Sequence, residues 1–198
     1  MPRDVELLKA ALVKGGARPT QFEVDISFPA AGGVGVLPNI RALCKAAALP
    51  ASTVGVIEVG YQGRKIKYAG DRTFEPWTIT VYNDETFDIR DAFLSWMNAI
   101  NQHRSNIRAN GATDEAASYK GSAIVSQLSK DGVPNFGVRA YQMFGCFPSE
   151  VSAIELDWDS NDTIETFTVT LQYDYWTPYK TGGTNEEDVY GPGSEPVA

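Results

Sequence analysis

The chain has 198 residues, 43% of them hydrophobic and 11% aromatic, with a formal net charge of −8. That length suits one globular domain, and the apolar content excludes global disorder. The acidic balance argues against a protein that wraps nucleic acid, because holding phosphate takes a surplus of Lys and Arg. The acidity is uneven: residues 1–149 carry 14 acidic and 16 basic side chains, a net of +2, whereas residues 150–198 carry 11 acidic and only Lys180, a net of −10. The two cysteines, Cys44 and Cys146, are too few for a disulfide scaffold and sit among apolar neighbours, so they read as core thiols; a bridge between subunits stays open. A single His and no Cys-x-x-Cys pair argue against zinc. With no signal-peptide stretch and no apolar run near the roughly 18 residues of a membrane helix, the chain reads as a soluble protein made in a reducing cytoplasm, without membrane insertion.

In chain order, residues 4–14 suit a short helix with Val5, Leu8, Leu12 and Val13 near one face, ended by Gly15-Gly16. Residues 21–28 alternate, with Phe22, Val24, Ile26 and Phe28 on the apolar side of a half-buried strand. Gly32-Gly33-Val34-Gly35 lacks the Gly-Lys-Ser/Thr ending of a phosphate loop. Residues 50–70 are rich in Gly, Val and Tyr and hold the tight basic cluster Arg64, Lys65 and Lys67. This stretch reads either as a solvated hairpin face or as a contact with an acidic surface, which a second copy's acidic quarter would supply. Trp77, Ile79 and Val81 mark a second strand. Asn83-Asp84 then suits a cap for a helix over about 85–102, with Ile89, Phe93, Trp96, Met97 and Ile100 as its apolar stripe and His103 at its end.

Residues 105–118 are polar, with a turn at Asn110-Gly111. Residues 122–129 and 136–144 read as strands joined through Asp131-Gly132-Val133-Pro134-Asn135. In the acidic quarter, Ile154, Leu156 and Trp158 alternate with Glu155, Asp157 and Asp159, and Ser160-Asn161-Asp162 makes a turn. Phe167, Val169 and Leu171 then alternate with Thr166, Thr168, Thr170 and Gln172. The pattern predicts a hairpin with one buried face and one wet face of carboxylates and threonines. Beyond Trp176 lies an acidic segment rich in Gly and Pro. The expected organisation is one domain over 1–176 and a tail over 177–198. The fold class is mainly β, closed or sandwich-like, with one solid helix.

Nothing in this pattern builds an active site. Glu155, Asp157 and Asp159 fall on an exposed strand face, whereas a catalytic acid sits in an apolar pocket that shifts its pKa. Asp157-x-Asp159-x-Asn161 starts like a calcium loop, but Asp162 and Thr168 occupy the places of its glycine and its closing Glu. Ser149, Ser152 and Cys146 have no base partner. The expectation is no catalysis, no metal and no cofactor.

Three blocks carry a resemblance. The first runs from Lys45-Ala46 and Leu49-Pro50 through Val59-Gly60 and Arg64-Lys65-Ile66 to Ala69-Gly70-Asp71-Arg72-Thr73-Phe74, Trp77-Thr78 and Asn83-Asp84-Glu85. The second is Tyr119-Lys120 with Ser122-Ala123-Ile124-Val125. The third is Leu156-Asp157-Trp158-Asp159-Ser160-Asn161, then Thr166-Phe167, Val169-Thr170-Leu171 and Asp174-Tyr175-Trp176. Over about residues 18–176 the chain resembles the tail tube proteins of contractile-tailed bacteriophages, and the Ala-Gly-Asp-Arg-Thr-Phe and Leu-Asp-Trp-Asp-Ser-Asn strings are specific.

The resemblance implies two packed antiparallel β-sheets with a flanking helix. Six copies would form a ring with a continuous inner β-barrel, and rings would stack, an extended loop of each subunit reaching the next ring. The tube would sit inside a contractile sheath and carry phage DNA, without specific binding, into the host. The partners implied are other copies, sheath subunits, and baseplate and tail terminator proteins. The place is the virion tail, assembled in the host cytoplasm. A tube initiator or terminator of the same fold, or the tube of a related injection or secretion system, is the alternative; a stand-alone ligand-binding barrel is more distant.

Arg64, Lys65, Asp71 and Arg72 are the candidates for contact between rings. Glu155, Asp157, Asp159, Thr166, Thr168, Thr170 and Gln172 are the candidates for the lumen. Ala30–Leu37 and the acidic tail depart from the family pattern.

Overall fold

Alternating apolar residues become strands when the period-two stripe finds a second apolar layer. The computed structural model describes residues 5–12, 16–29, 39–107, 118–129 and 139–179. Its elements are α1 (Val5–Ala11), β1 (Phe22–Ser27), α2 (Ile40–Leu43), β2 (Cys44–Ala47), β3 (Ser52–Tyr61), β4 (Arg64–Phe74), β5 (Trp77–Tyr82), α3 (Asp88–Ile100), β6 (Gly121–Gln127), β7 (Arg139–Val151), β8 (Thr166–Gln172) and β9 (Tyr175–Tyr179).

All pairings are antiparallel. β1, β6, the first half of β7 and β9 form one sheet; the second half of β7 with β8, β5 and β2 forms the other. β7 belongs to both. It pairs with β9 as far as Phe144 and with β6 as far as Cys146, then with β8 from Phe147 to Val151. The bend falls at Gly145, whose φ of +68° suits glycine alone, and a Cβ there would strike the Asp174 carboxylate. Lys120 clamps that carboxylate (2.7 and 2.8 Å), so the corner between β8 and β9 is pinned to the bend.

The core lies between the sheets and under α3. Val24, Ile26, Ile79, Val81, Val125, Met143, Phe167, Val169 and Leu171 meet Ile89, Phe93 and Trp96 of the helix, all at 2% exposure or less. Each such side chain contributes about 1.5–3 kcal/mol through burial. Trp96 also satisfies its indole N–H, which donates to the Tyr119 carbonyl (2.7 Å), while Phe28 tilts onto both Phe93 and Trp96.

The expected stripes of β1, β5, β8 and the helix are therefore the core, and the two strands expected around 122–144 pair as β6 and β7. The turn expected at 131–135, the glycine run at 32–35, the turn at 110–111, Val13 and Gly15 lie outside the described residues.

Three expectations change. The helix starts at Asp88 rather than at a cap on Asn83-Asp84. Asp84 instead makes a turn, accepting bonds from the Thr86 hydroxyl and the Phe87 N–H, and Phe87, at φ +59°, stands at the N-cap. Helix α1 buries no side chain: Val5, Leu8 and Leu12 are exposed.

The largest change concerns the acidic quarter. Residues 152–165 form a loop, not a strand, and Leu156 and Trp158, expected on a buried face, are 80% and 99% exposed. The reason is the sheet itself. β8 is already flanked by β5 and by β7, so no edge remains for a strand at 154–159 to pair with. At the other end, β9 carries the sheet through Tyr179.

Candidate assembly surface

β3 and β4 stand apart from the sandwich as a separate two-stranded sheet. Gln62 and Gly63, both at positive φ (+45° and +80°), close the hairpin with a two-residue turn whose twist matches that of the strands. The register sets the faces, because residues directly opposite each other point the same way. Ile57 faces Tyr68, Val59 faces Ile66, and Tyr61 faces Arg64; Val56 with Ala69, Glu58 with Lys67, and Gly60 with Lys65 make the other face. One side is thus an apolar ribbon and the other is charged, with Glu58 holding Lys65 (2.7 Å) and Lys67 (3.9 Å). Nothing within the described residues covers the ribbon: Ile57, Val59, Tyr61, Ile66 and Tyr68 are 44–64% exposed.

The four residues singled out for contact between rings all lie on this hairpin, but not together. Arg64 and Lys65 are at the turn end and face opposite sides. Asp71 and Arg72 are at the base, about 20 Å away at about 3.3 Å per residue. Arg64 and Arg72 have no carboxylate partner among the described residues. Sequence reasoning saw the basic cluster and missed the ribbon, although the alternation Ile57-x-Val59-x-Tyr61 against Ile66-x-Tyr68 was there to see.

The lumen candidates divide in two. Thr166, Thr168, Thr170 and Gln172 share the face of β8 turned away from the core, beside Thr78, Thr80 and Tyr82 of β5, and the Thr78 and Thr170 hydroxyls lie 3.3 Å apart. Glu150, which the sequence reading passed over, pairs with Thr170 on this sheet. Glu155, Asp157 and Asp159 are not on that face. They belong to the 152–165 loop, beyond the Thr166 end of β8.

That loop is held at both ends. Arg90 lies over the Phe167 ring and donates to the Ser152 carbonyl (3.0 Å); Asn83 donates to the Glu165 carboxylate (2.9 Å). At its tip the Asp157 carboxylate accepts the Asp159 N–H, an Asx turn that aims Trp158 outward.

Burial pushes the Cys44 thiol up to about 11 and the Cys146 thiol to about 12, and both are free in the chain. A groove of about 350 Å³ between the end of α3 and β7 is lined by Met97, Ile100, His103, Phe147 and Pro148, and among the described residues its lining holds one imidazole and no carboxylate. Among the described residues no three His, Cys, Asp or Glu side chains are placed to share a metal ion. No described helix is long and apolar enough to cross a membrane.

This arrangement of a strand shared by two sheets, a helix across the core and a separate hairpin has counterparts of known structure. The fold matches the tube-terminating cap of the anti-feeding prophage (TM-score 0.59, 18% identity, 83% of this chain and 91% of that one). It also matches a chain of the sheath–tube complex of an extracellular contractile injection system (TM-score 0.53, 17% identity, 87% and 97%). In sequence, the chain is 43% identical over 160 residues to the tail tube protein gp19 of Enterobacteria phage T4, covering 81% of this chain and 90% of that protein. The phage tail tube protein family matches residues 17–179, and the chain belongs to it. Its role is structural, as a subunit of a phage tail tube.

Proposed function

We propose that six copies of this chain close into a ring, that rings stack into a tube inside a contractile sheath, and that each β3–β4 hairpin reaches from its own ring to the next. The observation that carries this reading is the uncovered ribbon of Ile57, Val59, Tyr61, Ile66 and Tyr68. A two-stranded hairpin with one bare apolar face is marginal in water and is stabilised by a second surface. Arg64 stands on the ribbon's own side at the turn end, and Lys65, Asp71 and Arg72 complete the charge pattern of the hairpin. Exposed ionic contacts contribute about 0–1 kcal/mol each, so their repetition around a ring matters more than any one pair.

The lumen wall is the polar face of β8, with Thr166, Thr168, Thr170 and Gln172. Hydroxyls and amides there leave few cationic footholds for passing phosphate, which suits a conduit that DNA slides through without binding. Glu155, Asp157 and Asp159 sit at the edge of that wall rather than on it. The subunit does no catalysis. Assembly takes place in the host cytoplasm, with sheath, baseplate and terminator proteins as the other partners.

Negative-stain electron microscopy of the purified chain tests the reading. Stacked rings are the expected result; single rings that never stack favour an initiator or terminator. A strictly monomeric protein at every concentration overturns the reading.

A further inference from the structure

We infer that Trp158 is an anchor between copies: the 152–165 loop of one subunit docks on the apolar ribbon of a second subunit's β3–β4 hairpin. This deepens the proposed function and rests on it. Three observations carry the inference.

The first is the side chain itself. Trp158 is 99% exposed, and Leu156 and Ile164 beside it are 80% and 70% exposed. A large aromatic presented wholly to water on a protein surface marks an interaction site, and Trp is enriched among interface residues that dominate binding.

The second is order. The loop is tied at Ser152 by Arg90 and at Glu165 by Asn83, and its tip is closed by the Asp157 Asx turn. A pre-held anchor loses little conformational entropy on binding.

The third is complementarity. The loop carries Glu155, Asp157, Asp159, Asp162 and Glu165 and no basic residue. The hairpin carries Arg64, Lys65, Lys67 and Arg72 against Glu58 and Asp71, a net of +2; Lys65 and Lys67 lie on the far face with Glu58, whereas Arg64 stands on the ribbon's own side with no carboxylate partner among the described residues. An acidic loop with an apolar tip therefore fits a basic hairpin with an apolar face, and complementary charge sets register and partner choice. Trp158 and the ribbon are both exposed within one chain, so the contact falls between copies.

Two readouts on the assembled full chain test this. Acrylamide quenching of tryptophan fluorescence should show one freely accessible indole, Trp158, in the unassembled protein, and its protection in tubes. Oxidative cross-linking of a mixture of the Trp158→Cys and Tyr68→Cys variants, both in a Cys44→Ser background because Cys44 is half-exposed while Cys146 is buried, should yield a dimer that neither variant gives alone. Trp158→Ala should weaken assembly about 30-fold, about 2 kcal/mol, with an unchanged melting temperature.

Native tubes in which Trp158 stays quenchable and no mixed dimer forms overturn the inference and leave the tube reading standing. Protection that appears only on adding sheath subunits also overturns it, in favour of the sheath. A chain that never assembles overturns both readings.

Discussion

The sandwich and the hairpin are built from the same material, antiparallel β-structure with alternating apolar residues, and they differ in what the apolar side meets. In the sandwich the stripes of β1, β5 and β8 meet α3 and the facing sheet, and residues such as Val24, Ile79 and Val169 are fully buried. In the hairpin an equally regular stripe, Ile57, Val59 and Tyr61 with Ile66 and Tyr68, is left uncovered by the described residues of its own chain. The lesson is a division of labour: the sandwich buries its apolar stripes inside the subunit, and the hairpin keeps its stripe open to a second surface. The loop at 152–165 stands with the hairpin in this respect, held at its ends by Arg90 and Asn83 and at its tip by its own Asx turn, yet keeping its largest side chain in water.

The comparison breaks first at the core. Trp96→Ala should cost about 3–5 kcal/mol of subunit stability, because it opens a cavity and orphans the Tyr119 carbonyl; a urea melt of the unassembled chain measures it. A loss below about 1 kcal/mol would mean that the core under α3 is not the folding unit.

Gly145→Ala comes next, at about 1–3 kcal/mol, since it forces a Cβ into a left-handed backbone against Asp174 and strains the bend that joins the two sheets. Its signature is a lowered melting temperature.

Alkaline pH has a smaller effect. The folded chain holds Cys44 and Cys146 protonated up to about 11 and 12, against an ordinary value near 9. The unfolded chain therefore releases those protons first, so the stabilisation is complete below pH 9 and is lost as pH rises from 9 towards 12. Replacing both cysteines with alanine should flatten that decline in a pH series of melts, and slow alkylation of the native thiols at pH 8 checks the same point.

The smallest effect on the subunit sharpens the comparison most. Ile66→Asp on the ribbon should move subunit stability by less than about 0.5 kcal/mol, as an exposed substitution does, while it blocks assembly.

The sandwich was legible in the sequence because its cues are local. Period-two stripes at 22–28, 77–82 and 166–172 and a 3.6-period stripe from Ile89 to Ile100 each name their own buried face. The acidic loop was misread for the same reason. Ile154-x-Leu156-x-Trp158 has the alternation of a strand, and alternation is blind to whether a sheet edge is free. Only the pairing of β8 with β5 and β7 closes that question.

The assembly surface was half legible. Arg64, Lys65, Asp71 and Arg72 stand out as charges, yet the ribbon beneath them looks like any core stripe until the fold leaves it uncovered. Periodicity tells which residues seek cover and not which molecule provides it. The opening asymmetry of charge is sharpened in the same way. Five of the carboxylates in the acidic quarter sit on one loop, and the basic cluster sits on the one hairpin with a bare apolar face.

The most direct measurement is sedimentation velocity of the Val59→Asp/Ile66→Asp chain beside the native one, with circular dichroism melts of both. The account predicts that the native chain sediments as rings or tubes and the variant as a folded species of low mass with a nearly native melt. Tubes of normal length from the variant, or a variant that fails to fold, would contradict the claim that the hairpin serves assembly and the sandwich serves folding.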